Sequence, residues 1–358
     1  MRRSASFRLN ARLFLPVLAI VAATTFAMPA AYGDTCTTQG QIPAVQRQEL
    51  SRAAHALLED VQSHNMQALR GDTLPAVAAD FSGIQSSAET LAPLIQQATI
   101  TVDMLYAFEA TQAPSATLGS QFFCSPANST MTVVLNFSNL PAGKYALAIL
   151  HATGVAKPQQ MALILSQTAE NQWKLAGFFT KPMMLGGQNG LWYWTHARDY
   201  AQQKMDWAAW FYYQIAAFLV DPVDFISSPN MDKLRQEAEK VRPENLSADK
   251  PMTVNSTDGA FQVVRVDTSV DLGPLDFTIH YTPTDTQAAQ LRDPVAARKQ
   301  VIDLMTAMLS LHPELRHAFH GLWVYADSAN ATVFALELPM DQIPGGTGQA
   351  STGATSGQ

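Results

Sequence analysis

Charge is scarce in this sequence. Only 15% of its 358 residues are charged, and 23 basic residues face 30 acidic ones. Phosphate binding needs clustered Lys and Arg, so a chain of net charge -7 argues against nucleic acid as the principal partner. Cysteine is scarcer still, with two in the whole chain, which rules out a dense disulfide scaffold. A hydrophobic share of 47% excludes disorder throughout and is enough for sizeable cores. No glycine-rich phosphate loop, GxSxG elbow, CxxC or HExxH occurs. The sequence therefore points to no cofactor and no metal.

What is present begins with an address. Arg2, Arg3, Arg8 and Arg12 precede an apolar run over residues 13–27; Pro29 and the small-residue stretch Ala30, Ala31, Tyr32, Gly33 follow. This is the three-part pattern of a secretory signal peptide over residues 1–33, with Ala31-Tyr32-Gly33 as the cleavage site. The run is shorter than the roughly 20 residues of a membrane span, so the mature chain is expected to carry no transmembrane anchor. The expected location is periplasmic or extracellular. The leader takes away four basic residues and no acidic one, which sharpens the acid bias. Export places Cys36 and Cys124 in an oxidising compartment, where a structural disulfide is the expectation and two free thiols the alternative.

Along the mature chain, apolar residues at spacings of three and four predict a long helix over 44–69. A short unit over 77–84 and a helix opening at Ser86 and Ser87 follow. The period then changes to two. Strands are expected over 100–108, 121–124, 131–137, 144–151, 161–166 and 172–180, separated by turn residues. Helices laid on a curved antiparallel sheet make an α+β domain over residues 44–182. Its element order, with Asp80-Phe81-Ser82-Gly83 ahead of the second helix, resembles the nuclear-transport-factor-like, cystatin-like family. That resemblance implies a cone in which the bent sheet wraps the long N-terminal helix.

Helical patterning returns over 187–242, after Gly186, Gly187 and Gly190. Helices are expected to about Met205, over 206–220 up to Asp221-Pro222, and over 229–241 before Pro243. Ala197, Tyr200, Ala209, Tyr213, Ala216 and Pro222 resemble one degenerate tetratricopeptide unit, which implies a helical hairpin docked on the preceding domain. Residues 243–258 read as a linker, 259–340 as a small ββαββ domain, and 341–358 as a disordered tail.

Three groupings bear on function. The densest aromatic stretch contains Trp192, Trp194, Trp207 and Trp210. It reads either as a recognition surface or as helix packing, and its spacing follows a helical face. His312, His317 and His320 fall close together with Glu314, but one ExxH turn lacks the further acids of a di-metal site, and a helix C-terminus accounts for the histidines. In the cone domain, Asp80, Asp103, Tyr106, Glu109 and His151 are of the types that cavity enzymes use, as the resemblance implies. Strict alternation places Asp103 on the strand face opposite Tyr106 and assembles no acid-base pair. The sequence thus favours a secreted, non-catalytic protein that binds a small apolar ligand or a protein partner. A cavity enzyme using Tyr106, His151 and Asp103 is the alternative.

Overall fold

The computed structural model describes residues 34–111, 119–127, 129–244, 246, 250–257, 259–328 and 331–345. The proposed signal peptide, and the expected tail beyond Gly345, lie outside the described residues. Strand β1 (Asp34–Thr38) leads into α1 (Ala44–Gln62), whose Leu50, Ala54, Leu57, Leu58 and Val61 are buried at the predicted spacings. The expected continuous helix to Leu69 is interrupted. His64 takes a left-handed φ of 57°, and the Asn65 side chain accepts from the Ala68 amide to start α2 (Met66–Gly71) afresh. After α3 (Pro75–Ala78), α4 (Ser82–Ile95) begins ahead of the expected Ser86-Ser87 cap. The Ser87 hydroxyl instead donates back to the Gly83 carbonyl.

The strands β2 (Thr99–Ala110), β3 (Ser120–Cys124), β4 (Val133–Phe137), β5 (Gly143–Thr153), β6 (Gln159–Gln167) and β7 (Trp173–Pro182) match the predicted runs. A hairpin, β8 (Met184–Leu185) with β9 (Gln188–Asn189), turns at Gly186 and Gly187, both at positive φ. Then come α5 (Gly190–Gln202), α6 (Asp206–Val220), β10 (Ile226–Ser227) and α7 (Pro229–Glu239). The eight-stranded sheet runs β10-β4-β3-β1-β2-β5-β6-β7, antiparallel except between β1 and β3. Cys36 and Cys124 form the disulfide that ties β1 to β3, and neither cysteine is free.

This sheet is packed on both faces. Leu105, Ala146, Ala148, Leu150 and Leu163 meet α1 and α4 on one face, whereas Tyr106, Phe108, Tyr145, Leu147 and Ile149 enter a second core on the other. Doubly buried strands read as continuous apolar runs, as β5 and β6 do. Phe108 on β2 meets Phe137 on β4 at 5.5 Å, although two strands lie between them. Flat neighbouring strands are about 4.8 Å apart, so this contact requires strong curvature. Phe179 on β7 also reaches Phe225, beside β10, at 5.5 Å, which brings the two ends of the sheet together. The bend closes on the face away from α1 and α4. The arrangement expected from the resemblance, with the sheet wrapped around the long helix, is not the one formed.

The C-terminal part contains β11 (Met252–Ser256), β12 (Gly259–Ser269), β13 (Asp276–Thr282), α8 (Asp285–Gln290), α9 (Pro294–Leu311), α10 (Leu315–Ala318), β14 (Gly321–Ser328) and β15 (Ala331–Pro339). The sheet order follows the chain, with β13 and β14 parallel across the helical connection. Two expectations need correction. The expected linker contributes β11, whose Val254 is fully buried beside Phe261. The start of the expected tail is docked: Ile343 is buried, and the Arg316 guanidinium donates to the Met340, Ile343 and Pro344 carbonyls.

The hairpin of α5 and α6 also docks differently from expectation. Trp207 and Phe211 pack on Phe277, and Phe211 and Tyr212 on Phe319, so the helices share one core with the C-terminal sheet. Gly190 permits the close approach of α5 to α6, since a Cβ there would stand 2.8 Å from Val220.

Candidate functional site

The cone-domain candidates are placed individually. Tyr106 is buried, and burial first, then the charge of Asp103, pushes its phenol above the ordinary range. The influence of Asp103 reflects a bulge between Val102 and Met104 in the pairing of β2 with β5, which breaks the alternation that separates the two residues on paper. His151 pairs across from Thr101 and contacts the Gln160 amide oxygen at 3.1 Å. Tyr106 pairs with Leu147, so His151 lies four residues further along β5, about 13 Å away at strand rise. Tyr106 and His151 therefore share a face without meeting. Asp80 and Glu109 are exposed.

The aromatic stretch is engaged inside the protein. Trp207 is buried and lies 4.0 Å from the His312 ring. Trp192 stacks on His196 at 3.7 Å, and Trp210 lies beneath the Arg242 guanidinium. Trp194 donates its indole N–H to Glu237 at 2.7 Å. Arg198 grips the same carboxylate through two bonds, of 2.7 and 3.0 Å, and covers the Trp194 ring. Burial alone would raise the Glu237 pKa, but the bonds from Arg198 and Trp194 hold the carboxyl below its ordinary value. This network ties α5 to α7.

The three nearby histidines take separate roles. His312 caps α9 and sits 3.7 Å from Glu314, while His317 is exposed on α10. His320 joins a different set. Its Nδ1 lies 3.3 Å from Asp276, a carboxylate with no exposed surface, and the Trp323 indole N–H donates to the other Asp276 oxygen at 3.3 Å. Glu337, on β15 opposite Trp323, completes a group in which one ligand atom from each of Asp276, His320 and Glu337 lies within 4.8 Å of the others. Burial first, then Asp276, raises the Glu337 pKa, with His320 acting in the opposite sense. The backbone holds the cluster in place: the His320 amide donates to Leu275, and the His320 carbonyl accepts from Met340. This grouping was not legible in the sequence, because His320 and Asp276 are 44 residues apart and strand pairing alone joins them.

The same face of the C-terminal sheet carries a row of parallel rings. Trp323 and Tyr325 stand 5.6 Å apart, and Tyr325 and His280 4.5 Å apart. A tautomer with His280 Nδ1–H donating to Asp327 and Nε2 accepting from Arg265 satisfies the two 2.7 Å contacts of that imidazole.

Where the two ends of the eight-stranded sheet approach, a groove of about 840 Å³ opens beside β3, β4 and Phe225. Phe137 and Phe225 supply its apolar wall, while Gln121, Asn136 and Asp224 supply polar groups. No family model, curated protein or solved structure matches the chain.

Proposed function

We propose that this chain is an exported, non-catalytic binding protein of a bacterial envelope, and that its ligand is a small apolar molecule held in the groove beside Phe137 and Phe225. The groove carries the reading: its wall is built of the Phe137 and Phe225 rings, and a mostly apolar lining is the usual form of a small-ligand site. Export is supported by the leader pattern together with the Cys36–Cys124 disulfide, a bond that persists in oxidising compartments. No helix of the described residues is long and apolar enough to cross a membrane. The separation of His151 from Tyr106 speaks for binding over catalysis. Element order supports a nuclear-transport-factor-like reading of residues 44–182, although the side of the bend differs. The close approach of α5 to α6 supports a tetratricopeptide-like hairpin.

Binding is tested with an apolar fluorescent dye, anilinonaphthalene sulfonate, on the secreted, folded chain. Saturable binding that Phe137→Ala and Phe225→Ala each weaken at least tenfold is expected, whereas dye binding indifferent to both substitutions would overturn the reading. Mapping the N-terminus of the exported chain tests the address, with a new N-terminus after Gly33 expected and an intact leader counting against it.

A further inference from the structure

We propose that Asp276, Glu337 and His320 bind one divalent transition-metal ion, with Trp323 orienting the Asp276 carboxylate. These residues belong to the five-stranded sheet and its approach, apart from the apolar groove on the eight-stranded one.

Asp276 is fully buried, yet among the described residues its one salt-bridge partner is His320. Its two side-chain contacts, to His320 and Trp323, are both 3.3 Å long. A carboxylate with charged or strong donors is held at about 2.7–2.9 Å, so both contacts of this buried group are longer than those of a fully partnered carboxylate. Glu337 brings a second carboxylate toward the same point. At Gly321 a Cβ would stand 2.5 Å from the Glu337 Oε1 and 2.9 Å from the Asp276 Oδ1, so both oxygens converge over a glycine that has no side chain to separate them. Two converging carboxyl groups share either a proton or a cation, and the His320 imidazole beside them offers the nitrogen that favours a transition metal.

The spacing fits. The 3.3 Å between the His320 nitrogen and the Asp276 oxygen is the edge of a tetrahedron with metal–ligand bonds of about 2.0 Å. Glu337, whose ligand atom lies within 4.8 Å of the other two, would come to a third corner by turning its flexible side chain. One imidazole and two carboxylates suit zinc or manganese better than calcium, which prefers an all-oxygen shell. The Trp323 N–H on the second Asp276 oxygen is the outer-shell bond that fixes a ligating carboxylate. His320 is half-exposed and lines an open groove with Phe319, Pro339 and Met340, so the ion has a path from solvent and a position left for water.

The test uses the full mature chain, free of affinity tags and stripped by a chelator, titrated calorimetrically with Zn²⁺ and with Mn²⁺. One equivalent of at least one of the two metals should bind with micromolar or tighter affinity, and excess Ca²⁺ should not displace it. His320→Ala and Glu337→Gln should each weaken binding at least tenfold, with circular dichroism of the metal-free variants unchanged from wild type. His151→Ala, in the other sheet, should leave affinity unaltered. Lack of saturable binding of either metal, or binding that persists in both His320→Ala and Glu337→Gln, would overturn the assignment.

Discussion

The two sheets of this protein solve burial in different ways. In the eight-stranded sheet, successive residues of β5 and β6 enter separate cores, so both faces are spent on packing and the candidate Tyr106 is itself buried. In the five-stranded sheet, Phe277, Ile279, Tyr281, Leu322 and Val324 face one core, while Asp276, His280, Trp323, Tyr325 and Asp327 share the opposite face, on which no second hydrophobic cluster forms among the described residues. A sheet covered on one side keeps a face on which polar and aromatic groups can meet. A sheet covered on both leaves such groups only at its ends, where the Phe137–Phe225 groove lies.

The largest expected effect lies at the disulfide. Replacing Cys36 and Cys124 by serine removes a bridge of sequence separation 88 from the doubly packed sheet. The expected loss is about 4 kcal/mol in urea unfolding, because the open unfolded chain gains entropy. A loss near zero would mean that the curl of the sheet does not depend on the bridge.

Leu147→Ala, within the second core, should cost about 3 kcal/mol, and Tyr325→Ala, on the half-covered face, about 1 kcal/mol. Equal costs in denaturant titrations would erase the contrast between the sheets.

Glu237→Gln sharpens the view that the aromatic helices are internally braced. It removes the charge and turns one of the two oxygens that accept from Arg198 and Trp194 into an NH2 donor, and should cost about 2 kcal/mol at neutral pH. The Glu237 pKa is held below its ordinary 4.5 in the folded state. The ionised form therefore favours the fold: its contribution is complete above 4.5 and fades as pH falls through the lower folded value. The variant should show a flatter acid limb in a plot of stability against pH, and an unchanged limb would remove Glu237 from the brace.

Asp103→Asn carries the smallest expected effect, under about 0.5 kcal/mol, because the side chain is exposed. It should lower the Tyr106 titration midpoint measured by ultraviolet absorbance, since one of the two influences that raise it is gone. A midpoint that stays put would mean that the bulge does not bring the two groups into electrostatic reach.

Much of the fold was legible because it depends on local repetition. The strands β2 to β7 and the helices α5, α6 and α7 appear in the sequence near their observed bounds. The missed strands share a cause, which is that a distant partner decides them. Strand β1 pairs with Phe108 and Phe122, far along the chain, and β11 gains its strand character from pairing with β12. The helix break at His64 and the bulge at Asp103 each turn on one backbone conformation that periodicity does not register.

Composition and spacing by themselves determined an α+β chain with little charge, helical stretches set between two strand-rich regions, and two cysteines suited to a single bridge. Tertiary structure alone decided which faces those elements turn toward one another. It curled one sheet until Phe179 met Phe225, seated the aromatic helices on the C-terminal sheet, and brought Asp276, His320 and Glu337 over Gly321. The physical reason is that side-chain period is a local property of the backbone, whereas strand order and sheet curvature are set by non-local pairing and burial, which leave no periodic trace in the sequence.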